Sequence, residues 1–117
     1  MTDERPADDG YYHERHLRQF GDIGEARPEL AAKFFDYYSA VMAEGALSKR
    51  EKALMALAVA HAIQCPYCID AYSKNSLEAG ADLEQMTEAV HVATAIRGGA
   101  SLVHGMQMKG HHDGLSM

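Results

Sequence analysis

The chain has 117 residues, 47% of them hydrophobic and 24% charged, and a formal net charge of -6. That size suits one domain rather than two, and the acidic balance argues against a nucleic-acid partner, which needs clustered Lys and Arg. No apolar run approaches the length of a membrane span. The polar, acidic start (Thr2, Asp3, Glu4, Arg5) is unlike a signal peptide, so a cytoplasmic location is expected.

Taken in order, residues 1–10 are charged, contain Pro6 and Gly10, and read as a mobile lead-in. Residues 11–20 read as a short helix with Tyr12, His16, Leu17 and Phe20 on one face, interrupted by Gly21 and Gly24. Pro28 suits the start of a second helix to about Glu44, with Leu30, Phe34, Tyr37, Tyr38 and Val41 at helical spacing as a core or subunit-contact stripe. Ser48 and Glu51 form a capping box that opens a third helix to about Ile63, rich in Ala and Leu and apolar almost all round. Such a helix is expected to be buried in the domain or against another subunit.

Cys65-Pro66-Tyr67-Cys68 then starts a fourth helix, ended by Gly80 as a C-cap. Asp82 with Gln85 caps a fifth, running through Met86, Val90, Ala93 and Ile96 to Gly98 and Gly99. A sixth segment, from Ala100 to about Met108, carries Leu102, Val103 and Met106; residues 109–117 read as a disordered polar tail. No segment alternates with period two, so the fold class is all-α, about six helices over residues 11–108.

The cysteine pair carries the chemistry. The chain has two cysteines, both in this motif. A C-x-x-C pair can cycle between dithiol and disulfide, supply half of a metal site, or close a small structural bridge. Pro66 fits the first turn of a helix, which places Cys65 at the N-cap and Cys68 one turn inside. There the unpaired N–H groups and the helix dipole favour a thiolate, and by position Cys65 is the more favoured. Metal binding needs two further ligands, and no second C-x-x-C or H-x-x-x-H provides them; no metal and no cofactor are expected. Cys-Pro-Tyr-Cys also occurs in glutaredoxins, but there it follows a strand, and here an Ala-rich helix precedes it.

Leu47, Ser48, Arg50, Glu51, the run from Leu54 to Ala60 and Cys65-Pro66-Tyr67-Cys68 together resemble the core segment of the alkylhydroperoxidase AhpD-like (carboxymuconolactone decarboxylase) family. Ser76, Gly80, Glu88, Ala95 and Ile96 are similar to the helix that follows in that family, and the match covers about residues 28–108. More narrowly, Cys65 to Tyr72 and Ile96 to His104 resemble small peroxidase-like proteins associated with arsenosugar biosynthesis. The resemblance implies an all-α homo-oligomer, a trimer or hexamer. It also implies a cysteine pair that reduces hydroperoxides or disulfides and is re-reduced by a lipoyl or thioredoxin-like partner. In the peroxidases of the family the second cysteine, here Cys68, attacks and the first, here Cys65, resolves. They also carry a Glu twelve residues before the first cysteine and a His four after the second; here these are Ala53 and Tyr72.

Four residues are candidates to replace that proton relay. Glu51 is a displaced acid or simply the partner of Ser48 in the capping box. His61, four residues before Cys65, is a base for the thiols or an interface histidine. Tyr72, one turn after Cys68, is a proton donor to a leaving alkoxide or a packing residue. His91, with Arg97 and His104 in a second constellation, reaches the pair only if the last helices fold back on it. Tyr67 and Asp70 read as surface residues flanking the site. The principal expectation is a thiol-dependent oxidoreductase. The alternatives are a dithiol module binding a thiophilic ion such as arsenite, and a structural family member with an inactive site.

Overall fold

In a computed structural model, residues 10–115 are described. The lead-in expected over residues 1–10 lies almost entirely outside them. The described residues form five α-helices, α1 (Glu14–Arg18), α2 (Pro28–Met42), α3 (Lys49–Ala62), α4 (Pro66–Glu78) and α5 (Leu83–Leu115), with a 3₁₀ turn at Phe20–Gly24 between the first two. No strand occurs among them.

The helix boundaries follow local chemistry. Pro28 and Pro66 each occupy a first helical turn, where a missing N–H costs nothing. Ser48 and Glu51 make the full capping box at α3: the Glu51 amide donates to Ser48 Oγ at 3.0 Å and the Ser48 amide to Glu51 Oε1 at 2.7 Å. Asp82 and Gln85 make the equivalent pair at α5, at 2.8 and 3.0 Å. Gly80 ends α4 with φ of +92°, a conformation open to glycine, while the Ala81 amide reaches back to the Ser76 carbonyl at 2.9 Å.

Two expectations are corrected here. The fifth and sixth segments are one helix of 33 residues, and it continues to Leu115 through most of the stretch expected to be a disordered tail. Glycine lowers helix propensity by only about 1 kcal/mol and breaks a helix mainly by turning left-handed. Gly98 and Gly99 do not take positive φ, so the ladder runs on. Lys109 and Asp113, one turn apart and bonded at 3.0 Å, support the end.

α3 is the centre of the packing, lying against both α4 and α5. Among the described residues the buried apolar side chains are few and mostly alanine: Ala53, Leu57, Ala60, Ala81 and Ala93. The apolar-all-round α3 is therefore covered on one stripe only, since Met55, Val59 and Ile63 remain exposed. Ser76 of α4 is also fully buried, and its hydroxyl has no hydrogen-bond partner.

Candidate active site

Cys65 is placed by two motifs at once. The C-terminus of α3 closes as a Schellman motif: the Gln64 amide donates to the His61 carbonyl at 3.1 Å and the Cys65 amide to the Ala60 carbonyl at 3.1 Å. Gln64 stands where glycine is usual, with φ of +57°. The Arg97 guanidinium, from α5, donates to the Ala62 carbonyl and adds a positive charge at the same helix end. Cys65 is then the N-cap of α4, and its sulfur accepts from the Cys68 amide at 3.4 Å. Backbone from two helices thus fixes one sulfur.

The two thiols are electrostatically unequal. The Cys68 thiol and the Cys68 amide both point hydrogen at the Cys65 sulfur, and this lowers the pKa of Cys65. Burial, then the proton it shares with Cys65, raises that of Cys68. Both are half-buried free thiols.

Cys68 lies in a groove of about 490 Å³ whose walls include Met42, Leu47, Met55, Val59 and Ile63, with Tyr72 beside it. Lys52 ties the end of α2 to this wall by donating to the carbonyls of Val41 and Ala43, at 2.7 and 2.6 Å. Burial, and then the Cys68 sulfur, raise the phenol pKa of Tyr38 of α2. It therefore stays protonated near neutrality.

The candidate relay residues separate. Tyr72 shares the groove with Cys68. His61 does not: its Nδ1 hydrogen is held by the Leu57 carbonyl at 2.8 Å, and the ring lines a different groove with Gln64, Arg97 and Gly98. Helix geometry carries His61 toward α5 and away from the thiols. The Glu51 carboxylate is engaged by the Ser48 amide, which lowers its pKa. It lines a surface between α3 and α5 with Gln85 and Glu88, apart from Cys68. His91 and His104 are exposed on α5 and line neither the Cys68 groove nor the His61 groove. Ala53, at the position of the family's acid, is fully buried.

Tyr67 and Asp70 are docking points rather than free surface residues. The Tyr67 hydroxyl donates to the Tyr11 carbonyl at 2.9 Å and receives the Nδ1 hydrogen of His16 at 2.7 Å. The Tyr12 hydroxyl donates to the Asp70 carboxylate. The sequence pattern placed Tyr12 and His16 on one face of a short helix without indicating that this face docks on α4. The aromatic cluster Tyr11, Tyr12 and His16 was its available signal.

Residues 28–108 match the model of the carboxymuconolactone decarboxylase family. "Uncharacterized protein 4 in cox locus" of Paracoccus denitrificans is 42% identical over 84 residues, covering 72% of this chain and 76% of that protein. A protein of Cupriavidus necator is 27% identical over 99 residues, covering 85% of this chain and 88% of its own. Among solved structures, one from Methanobacterium thermoautotrophicum superposes with a TM-score of 0.70 at 34% identity, covering 74% of this chain and 97% of that one. The apo form of a carboxymuconolactone decarboxylase family protein from Legionella pneumophila gives 0.65 at 33% identity, covering 77% and 85%. With the family model matched over most of its length and two solved relatives sharing its helices, the chain belongs to the carboxymuconolactone decarboxylase family.

Proposed function

We propose that the protein is a thiol-dependent oxidoreductase that reduces apolar hydroperoxides or disulfides through Cys65 and Cys68. The observation that carries this reading is the unequal pair at a helix start, one sulfur stabilised as thiolate and the other opening on an apolar groove.

The geometry supports the following steps. The Cys68 sulfur, the less acidic and more nucleophilic of the two, attacks the substrate O–O bond from the groove as its proton passes to the Cys65 thiolate in the same step. That bond breaks, Cys68 becomes a sulfenic acid, and the alkoxide takes a proton from Tyr72 or Tyr38, which solvent replenishes. The Cys65 sulfur then attacks Cys68, its proton leaves with the hydroxide as water, and a disulfide forms. An external dithiol, of the lipoyl or thioredoxin type, returns two electrons and two protons. Apolar walls favour a substrate with a hydrocarbon body over hydrogen peroxide.

The test is single-turnover oxidation of the reduced protein by an alkyl hydroperoxide. The reading requires a rate well above that of free cysteine, a disulfide product, and a trapped sulfenic acid on Cys68 in Cys65→Ser. A rate no faster than free cysteine, alongside tight stoichiometric arsenite binding, would replace it with the ion-binding reading.

We also propose that copies of the chain assemble. Phe34, Tyr37, Val59, Ile96, Leu102, Val103 and Met106 are exposed while the buried core is mostly alanine. So much apolar surface on a domain of this size calls for a partner face, and a second copy supplies it. Sedimentation at micromolar concentration should give a mass that is a multiple of 12.8 kDa; a monomer would refute assembly.

A further inference from the structure

Opposite faces of α4 serve different ends. Cys68 and Tyr72, four apart, open on the groove. Tyr67, Asp70 and Lys74, spaced three and four apart, form another face. Residues 11–18 lie across that face as a strap. Its rings surround Tyr67: Tyr12 at 4.8 Å between centroids, His16 at 5.7 Å and Tyr11 at 5.9 Å. The Tyr67 hydroxyl is bonded on two sides, to the Tyr11 carbonyl and His16 Nδ1. Farther along α4, Tyr12 bonds Asp70, and Lys74 bridges Glu14 at 2.8 Å and Asp70 at 2.9 Å.

Tyr67 is one of only two residues between the cysteines. The other, Pro66, has its φ fixed by its ring. The strap therefore holds, through Tyr67, the first turn of α4, which carries both sulfurs. In the state described the sulfurs are free, and the Cys65 sulfur accepts from the Cys68 amide at 3.4 Å. A disulfide brings the sulfurs to about 2.05 Å and turns Cys65 into a much weaker acceptor. We infer that Tyr67 is a positioning residue through which the strap holds the turn in its dithiol geometry and so sets the dithiol/disulfide equilibrium.

The inference rests on the redox reading of the pair. Its reaction is the exchange of protein dithiol with oxidised dithiothreitol, giving protein disulfide and reduced dithiothreitol, with two electrons and two protons passing between them. The coupling is reciprocal: whatever factor the strap contributes against the disulfide, the disulfide contributes against strap docking.

The experiment is a redox titration of the full chain in dithiothreitol buffers at fixed pH, for wild type, Tyr67→Phe and Tyr12→Phe. Tyr67→Phe keeps the ring and removes the anchoring hydroxyl. Tyr12→Phe removes the strap's bond to Asp70 while keeping the ring that packs on Tyr67. Both should move the equilibrium toward disulfide by three- to tenfold, tenfold being about 30 mV for a two-electron couple. Circular dichroism melts confirm that each variant is folded at the titration temperature. A shift below twofold in both, or a shift toward dithiol, would overturn the inference while leaving the redox reading intact. A shift in Tyr67→Phe alone would also overturn it, because the effect would then belong to that side chain and not to the strap. A wild-type chain that forms no internal disulfide would overturn the redox reading itself.

Discussion

The amide of Cys68 donates to the sulfur of Cys65 at 3.4 Å, so the cysteine at the helix cap is stabilised by the residue that carries the other thiol. That bond, the Cys68 thiol hydrogen and the burial of Cys68 together make the two sulfurs unequal, and the roles proposed for them rest on that inequality.

Tyr72 shares the groove with Cys68, and Cys68 contributes to the raised pKa of the Tyr38 phenol. Tyr72→Phe should lower peroxide turnover about tenfold, at the low end of what a positioned proton donor contributes. The alkylation pKa of Cys65 should stay unchanged. The double variant with Tyr38→Phe should lose more than either alone. Steady-state kinetics with an alkyl hydroperoxide measure this, and unchanged turnover in the double variant would remove both phenols from the reaction.

Ser76 is fully buried with an unpartnered hydroxyl. Leaving such a group unpaired costs about 1–3 kcal/mol. Ser76→Ala should therefore raise stability by about 1 kcal/mol, read as a higher denaturant midpoint with unchanged m-value.

The two Schellman ends should respond in opposite directions. Gln64 at φ +57° occupies a position favouring glycine, and Gly80 at φ +92° already has one. Gln64→Gly should stabilise by about 0.5–1 kcal/mol and Gly80→Ala destabilise by at least about 1 kcal/mol. Thermal melts of the two variants give the comparison directly.

The strap has an acid limit. The Tyr12 hydroxyl, then the Lys74 ammonium, hold the Asp70 pKa below its ordinary value. A depressed carboxyl contributes stability that is fully present above its unfolded value of ~3.9 and is lost as pH falls through its folded value. The Tyr12 phenol is pushed up to about 12, chiefly by its bond to Asp70, so its contribution is present below ~10 and is lost as pH rises through about 12. Hydrogen exchange in residues 11–18 should accelerate, relative to α3, below pH ~4. Protection that persists there would show that Asp70 does not hold the strap.

The helices were legible because their end signals are local. Ser48 with Glu51, Asp82 with Gln85, Pro28, Pro66 and Gly80 each act through neighbours within a few residues, and each sits where the pattern put it. Gly98 and Gly99 misled because glycine weakens a helix without ending it unless the backbone turns left-handed. The placement of the cysteine pair at a helix start, with Tyr72 one turn on, was legible for the same local reason. His61 is only four residues from Cys65, yet a helix end and a turn lie between them and send it elsewhere. The strap depends on contacts across the chain, such as Tyr11 to Tyr67, that no spacing encodes, and the effect of Cys68 on the Tyr38 phenol is likewise between residues distant in sequence.

The most direct measurement is pH-dependent alkylation of the reduced protein, with each cysteine followed separately by mass spectrometry. One thiol, Cys65, should titrate below the ~8.5 of free cysteine and Cys68 above it. In Cys65→Ser the Cys68 value should fall but stay high, because burial is the first cause of its shift. Two thiols titrating together at the ordinary value, or Cys68 titrating first, would contradict the assignment of Cys65 as the stabilised thiolate.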